Sequence, residues 1–316
     1  MNKSTSDAKE KGLFGKGMSK ADKNPSSIEP AKLTMDSKIR FRCHPGVSCF
    51  TACCGNIRII LTPFDILRLR KYLNMTADEF LLRFTVPTHI EKTEMPGVMI
   101  HLDEDGRCPF VTPEGCTIYP ERPSACRYYP IGMASFHEGA QEGQTAERFF
   151  FKVKEEHCKG HEEETEWTVR EWRKDQGVDL CDEMNSGWME LVMRKKSFGR
   201  QATLSEQGQK MFFMASTDTD KFRAFVFESS FLDKYEIDQE TIDLIKKDDI
   251  ALMKFSFRYL ASSLFGTQDL KIRDKLIKAR IEEIDERREK ASIKAEETYH
   301  ELVKERDNLK KALGKA

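Results

Sequence analysis

Three of the nine cysteines in this 316-residue chain fall within six positions, Cys49-Phe50-Thr51-Ala52-Cys53-Cys54, and Cys43 lies just upstream. Four more follow at 108, 116, 126 and 158, and Cys181 stands apart. The order reads C-x5-C-x3-C-C, then fifty-three residues, then C-x7-C-x9-C, then a last cysteine after thirty-one more. Thiols at this density serve as disulfide staples, as a redox relay or as a metal cage. A chain this long buries a sizeable core without staples. It also lacks the apolar run of a signal peptide, so the expected compartment is the cytoplasm, where clustered cysteines bind metal or react rather than cross-link. A bridge between the adjacent Cys53 and Cys54 would be strained.

The geometry of the first cluster allows two arrangements. In one helical turn Cys49 and Cys53 share a face and Cys54 points about 100° away. In an extended segment Cys53 and Cys54 point to opposite faces. Either way the vicinal pair is placed to serve two centres, or two edges of one large centre. Later cysteines sit in stiff turns: Cys108 precedes Pro109, Cys116 follows Gly115 in "TPEGC", and Cys126 lies between Pro123 and Pro130. Such turns hold a thiolate without regular structure around it. Arg42, Arg107, Arg122 and Arg127 each lie within four residues of a cysteine and would offset the charge of an anionic thiolate site. His44, His101, His137, His157 and His161 are candidate nitrogen ligands from the same half of the chain. A nucleophilic Cys126, activated by Arg122 and Arg127, would need a base partner that the sequence does not place.

The rest of the chain divides by composition. Residues 1–37 are polar and read as a disordered tail. Residues 38–181 read as a cysteine-cluster domain with short, irregular elements. Asn56–Leu61 alternates like a strand, and Val98–Leu102 reads as another, turning at Asp105-Gly106 to return through Cys108–Val111. Phe149–Val153 is a third candidate strand. Thr62-Pro63-Phe64-Asp65 and Thr76-Ala77-Asp78-Glu79 carry helix-start signals, with Ile66, Leu69 and Leu73 on one face and Phe80, Leu81 and Phe84 turned inward. Residues 182–266 read as a helical domain whose clearest helix runs from about Asp248 to Phe265, stopped by Gly266. Residues 267–316 form a long charged helix with four-apart ion pairs at Asp274/Lys278, Glu283/Arg287, Glu286/Lys290 and Asp307/Lys311. Its apolar seam runs through Ile277, Ile281 and Ile284, weakens at Arg288, Ala291 and Ala295, and resumes at Leu302 and Leu309. The expected fold class is α+β and predominantly helical. It combines an irregular Cys-rich metal-binding domain of short strands, an all-α region and the C-terminal helix.

"CPFVTPEGCTIYPERPSACRYYP", with "FRCHPGVSCFTACCGNIRIILTPFDILRL" before it and "HCKG" after it, resembles the YkgJ-type cysteine-cluster family, also called CxxCxxCC, over about residues 40–160. The resemblance implies a bacterial-type metal site of eight cysteines, an iron–sulfur cluster or zinc, carried here by Cys43, Cys49, Cys53, Cys54, Cys108, Cys116, Cys126 and Cys158. The first cluster departs from the family's tighter C-x2-C-x2-CC. Some relatives look like flagellin lysine N-methylases, which implies protein lysine methylation as an alternative activity. No Gly-rich nucleotide loop or C-x3-C-x2-C radical motif accompanies it. A third reading is a structural zinc module that presents the helical region to a partner. With 52 basic against 53 acidic residues and no membrane-length apolar run, neither nucleic acid nor membrane is an expected partner. A protein partner on the C-terminal helix is.

Overall fold

The computed structural model describes residues 27–28, 32–90, 93–136, 147–199 and 203–314. Among these are eleven helices: α1 (Pro63–Tyr72), α2 (Ala77–Phe84), α3 (Ser124–Tyr128), α4 (Val169–Gln176), α5 (Val178–Ser197), α6 (Glu206–Thr217), α7 (Thr219–Phe227), α8 (Phe231–Lys234), α9 (Gln239–Lys247), α10 (Asp249–Phe265) and α11 (Asp274–Leu313). Strands form only short antiparallel sets. The fold is a mostly helical α+β arrangement, as the sequence implies. Two compact units divide it. One takes in the described residues up to Ala224 together with Glu240–Asp269, and the other takes in Phe225–Gln239 and everything from Leu270.

Both helix-start signals are made. Thr62 and Asp65 exchange side-chain and backbone bonds at the head of α1, with Pro63 in its first turn, and Thr76 and Glu79 do the same for α2. Reciprocal capping of this kind satisfies orphan N–H groups that the helix cannot pair itself. Ile66 and Leu69 of α1 and Phe80 of α2 are buried with Ile59, Leu61, Val98, Ile100, Phe110 and Ile118 in a first core, on which Leu73, Leu81 and Phe84 also pack.

The strands of this half differ from expectation. Met95–Ile100 is a full strand, but its partner is Thr85–Ile90. Pro87 breaks the strand signal there, yet it is tolerated in a two-stranded hairpin, where an edge needs no N–H. Asn56–Leu61 forms no ladder, only an isolated bridge from Ile60 to Met99, and Asn56 itself has φ 50. The segment lies along the other edge of Met95–Ile100, with Leu61 N–H on Val98 (2.9 Å) and Ile100 N–H on Ile59 (2.9 Å). The Asp105-Gly106 turn is closed by Asp103 and Arg107, but Cys108 then pairs its N–H with Cys54 rather than returning along the strand. Gly106 has φ +74, and a Cβ there would come within 2.5 Å of Asn56 Oδ1, so this turn requires glycine.

A second core gathers Ile39, Phe41, Ile131, Phe150, Val169 and Trp172. Two strand sets frame it, Lys38–Arg40 with Glu166–Thr168 and Ile131–Phe136 with Glu147–Lys154. The expected tail lies outside the described residues at 1–26 and 29–31. Ser27–Ile28 pairs with Val153–Lys154, and Leu33 exchanges backbone bonds with Phe150 (2.7 and 3.1 Å). Leu33 and Met35 pack on the second core, because an apolar residue beside an open strand edge gains both burial and pairing.

The divide expected between 181 and 182 falls inside α5, which belongs with the cysteine-rich residues in one unit. Asn185 of α5 explains the continuity. Its carboxamide accepts the Phe64 N–H (3.2 Å) and donates to the Cys181 carbonyl (2.8 Å), joining α5 to the head of α1. α10 begins one residue after its capping Asp248 and ends on Gly266 at φ 67, as its sequence implies. α11 belongs to the second unit. Glu283 meets Arg287 at 2.7 Å and Glu286 meets Lys290 at 3.7 Å, while Asp274 faces Lys271 at 3.9 Å. The side chains of Asp307 and Lys311 lie outside the described residues. Ile277, Ile281, Ile284, Leu302 and Leu309 are all exposed along it.

Asp65 is only 1 % exposed. Beyond capping α1, its Oδ1 accepts both the N–H (2.8 Å) and the hydroxyl (2.7 Å) of Ser124, the first residue of α3. Asp65→Ala strands these donors in the interior and is expected to lower the unfolding free energy by about 3 kcal/mol. The exposed cap variant Thr76→Ala is expected to cost about 1 kcal/mol. Urea titration of both variants checks the ratio.

Candidate metal centre

All nine cysteines are free thiols. Eight of them, Cys43, Cys49, Cys53, Cys54, Cys108, Cys116, Cys126 and Cys158, line one cavity of about 500 Å³. Phe41, Ile59, Ile100, Phe110, Ile118 and Trp172, drawn from both cores, form part of its wall. Three well-separated stretches of chain therefore bring their thiols to the same space.

The first stretch is a chain of tight turns. Val47 N–H reaches His44 (3.0 Å), Phe50 reaches Val47 (2.8 Å) and Ala52 reaches Cys49 (2.9 Å). Cys53 and Cys54 follow in a 3-10 turn, Ala52–Cys54, which is neither of the two arrangements considered from sequence. Three residues per turn set their side chains about 120° apart. Thr51, just before, has φ 66, an unusual conformation for a β-branched residue. Arg107 lies over it, its guanidinium 3.5 Å from the Thr51 carbonyl and 3.4 Å from its hydroxyl.

The second stretch is held by carbonyls and arginines. Cys108 N–H bonds to the Cys54 carbonyl (2.8 Å), and Cys116 pairs with Val111 in a two-residue ladder. Cys126 sits in α3, whose head Asp65 holds. Arg127 is buried and donates to the carbonyls of Arg122 (2.9 Å) and Gln176 (2.8 Å), and also to Pro120. In the third stretch, Arg42 N–H binds Gly160 (3.0 Å), bringing Cys158 beside Cys43. A Cβ on Gly160 would stand 2.8 Å from both the Arg42 oxygen and the Phe41 ring, so only glycine permits this approach.

Several sulfurs accept backbone N–H groups. Lys159 N–H donates to Cys49 Sγ at 3.1 Å. Cys108, Cys116 and Cys158 each take the N–H of the residue two ahead, Phe110, Ile118 and Gly160, and each bond favours the thiolate. Burial works the other way. It pushes the Cys108, Cys116, Cys126 and Cys158 thiols up, and it raises Cys43 to about 11, with Cys53, Cys49 and Cys158 adding repulsion. The vicinal pair divides: their mutual hydrogen bond lowers Cys53 and raises Cys54. A raised Cys126 without a base is a poor nucleophile and a buried ligand candidate.

Of the arginines singled out by sequence, Arg107 lowers Cys53 and Cys108, and Arg122 lowers Cys116. Arg42 is exposed, and Arg127 is spent on carbonyls. The histidines divide likewise. His44 engages Glu163 (3.1 Å) and the Gly46 N–H (3.2 Å), and His101 is exposed. His161 packs against the rings of Phe41 and Tyr129. His157 borders the cavity and pairs with Glu155 at 3.3 Å. His137 lies outside the described residues. Cys181, as expected, stays apart, buried beside Arg68 at 3.5 Å.

Sequence reasoning passed over Tyr129. Its hydroxyl is shielded from solvent, finds no nitrogen or oxygen partner among the described residues, and faces the Cys158 sulfur on the cavity wall. A buried hydroxyl of this kind costs free energy until a strong acceptor meets it, and a metal-bound thiolate is such an acceptor. That orphan donor, the N–H groups on sulfur and the two arginines fit a soft, anionic thiolate centre. The thiols are spread around the wall. Among the described residues no three His, Cys, Asp or Glu side chains stand close enough to share one ion.

Residues 42–171 match the model of the CxxCxxCC family, described as a "putative zinc- or iron-chelating domain". No curated protein and no solved structure matches the chain. No helix among the described residues is long and apolar enough to cross a membrane.

The Cys43 shift fixes the sign of a pH effect. Its ordinary value is 9.0 and its folded value about 11. Between these the unfolded chain gives up a proton that the folded chain keeps, so stability falls as pH rises through that window. Chelator-treated protein is therefore expected to lose thermal stability as pH rises from 9.0 to about 11. In Cys43→Ser that loss is smaller. Differential scanning calorimetry across this range checks both.

Proposed function

With residues 42–171 taken as a CxxCxxCC domain, we propose that this chain holds iron, as one or more iron–sulfur centres, on its eight clustered cysteines and serves a redox or electron-transfer role. One observation carries the reading: all eight thiols line a single cavity, although they come from three separate parts of the sequence. Soft thiolates in that number suit iron–sulfur or zinc centres. A single tetrahedral zinc draws four sulfurs to about 2.3 Å from one point, whereas a cluster of several irons takes each thiolate on a different atom and tolerates a wider ring. The spacing of these thiols around a roomy cavity supports the second case.

When bound, such a centre supplies one-electron chemistry. The chain's own residues do the rest. Arg107 and Arg122 offset its negative charge. The N–H groups of Lys159, Phe110, Ile118 and Gly160 stabilise the thiolates. The apolar wall of Phe41, Ile59, Ile100, Phe110 and Ile118 keeps water away, which together with N–H donors to sulfur tunes the potential of such a site. The competing reading is a structural zinc module. It is favoured by the origin of the wall in both cores, since a metal there would tie the two together.

Anaerobic purification followed by iron, zinc and acid-labile sulfide analysis separates the two. The expected result is brown protein with iron and sulfide in comparable amounts and visible absorbance that bleaches on reduction. Colourless protein with stoichiometric zinc and no sulfide would favour the structural module instead.

A further inference from the structure

We propose that the eight thiols form two separate centres: Cys43, Cys49, Cys53 and Cys158 in one, and Cys54, Cys108, Cys116 and Cys126 in the other. This rests on the reading above that these thiols bind metal, and it adds how they share the work.

The division follows from what each thiol is anchored to. Cys108, Cys116 and Cys126 all pack on the first core, the one built from α1, α2 and the Met95–Ile100 strand. Cys54 is tied to that group through its carbonyl, which accepts the Cys108 N–H at 2.8 Å. Cys158 packs on the second core instead. Two hydrogen bonds fasten the early cysteines to it: Lys159 N–H to Cys49 Sγ at 3.1 Å, and Arg42 N–H to Gly160 at 3.0 Å, which draws in Cys43. Neither core carries all eight.

Cys53 is the hinge of the assignment. The 3-10 turn throws Cys53 and Cys54 about 120° apart, so adjacent residues face different neighbours. Cys54 goes with Cys108 through their 2.8 Å backbone bond, and Cys53, turned away from it, goes with the set fastened to residues 158–160. Four thiolates apiece match the usual complement of an iron–sulfur cluster, whose several irons take one thiolate each, so no three thiols need meet at a single ion. Arg107, 3.5 Å from the Thr51 carbonyl, puts a positive charge just ahead of the vicinal pair.

The test is metal content per chain after anaerobic reconstitution of the full-length protein, with ferrous iron plus sulfide and, separately, with zinc alone. Cys126→Ser and Cys158→Ser are each expected to lose about half the metal of the unsubstituted chain. The double variant Cys108→Ser/Cys126→Ser, within one set, is expected to lose no more than Cys126→Ser alone. Cys126→Ser/Cys158→Ser, across the sets, is expected to lose nearly all. Cys53→Ser and Cys54→Ser form a second pair that reports on opposite centres, should a variant of the later cysteines fail to fold by circular dichroism. In the reduced iron form, paramagnetic resonance of the unsubstituted chain is expected to show broadening from two interacting centres, and any single-set variant the sharper signal of one. A single substitution that empties the protein, or within-set and across-set doubles that behave alike, overturns the division while leaving metal binding intact. An unsubstituted chain that takes up neither iron nor zinc overturns the metal reading itself, and the division with it.

Discussion

The cysteine cavity depends on one buried carboxylate. Asp65 caps α1 with one oxygen and holds the head of α3 with the other, and so ties the first core to the short helix that carries Cys126. A buried charge is costly unless its oxygens are filled, and here the Thr62 N–H, the Ser124 N–H and the Ser124 hydroxyl fill them. The same device recurs one step further along. Arg127 spends its guanidinium on three carbonyls of the Pro120–Gln176 neighbourhood, while Arg122, held by the Tyr119 carbonyl and the Gln176 side chain, also bears on Cys116. Polar groups in the interior thus fix irregular backbone, and the irregular backbone aims the thiols.

The cavity lies where two hydrophobic cores meet, and this shapes its energetics. Three of the eight thiols pack on the first core and one on the second, so neither core alone carries all eight. Without metal the thiols stay protonated, since burial raises most of them, and the N–H groups on their sulfurs make weak bonds. In the proposed metal-bound state that balance would reverse: deprotonation would strengthen the N–H···S bonds and give the shielded Tyr129 hydroxyl an anionic acceptor in Cys158, so that binding metal would also consolidate the two cores.

What the sequence showed was whatever its neighbours decide. The capping boxes at Thr62 and Thr76 and the Asp248–Gly266 limits of α10 are local, and they stand as read. The eight cysteines were legible as a group because turn residues bracket them. What was lost depends on distant partners. Thr85–Ile90 was missed because Pro87 argues against a strand until Met95–Ile100 lies beside it. Asn56–Leu61 has strand chemistry but meets only one edge, so it pairs without forming a ladder. Arg127 and Arg122 look alike in sequence, yet both reach Gln176, about fifty positions on, one through its carbonyl and the other through its side chain, and only Arg122 also bears on Cys116. Tyr129 carries no signal at all until Cys158 closes over it.

The loose spacing of the first cluster is the point where this chain departs most from the tighter C-x2-C-x2-CC pattern, and the fold absorbs it. Successive turns from His44 to Cys49 coil the extra residues into a short path rather than a longer loop. The ends of that path are then pinned from outside, Cys43 by the Arg42–Gly160 bond and Cys49 by the Lys159 N–H. Position is thus set by contacts with residues 158–160 and not by the count of residues between cysteines. The cost appears downstream, where Thr51 takes a left-handed conformation so that the chain can turn into Ala52–Cys54. Strained backbone beside the vicinal cysteines persists only when its surroundings over-determine it, and Arg107 does so by holding Thr51. One arginine therefore secures the turn and favours the thiolates of both Cys53 and Cys108.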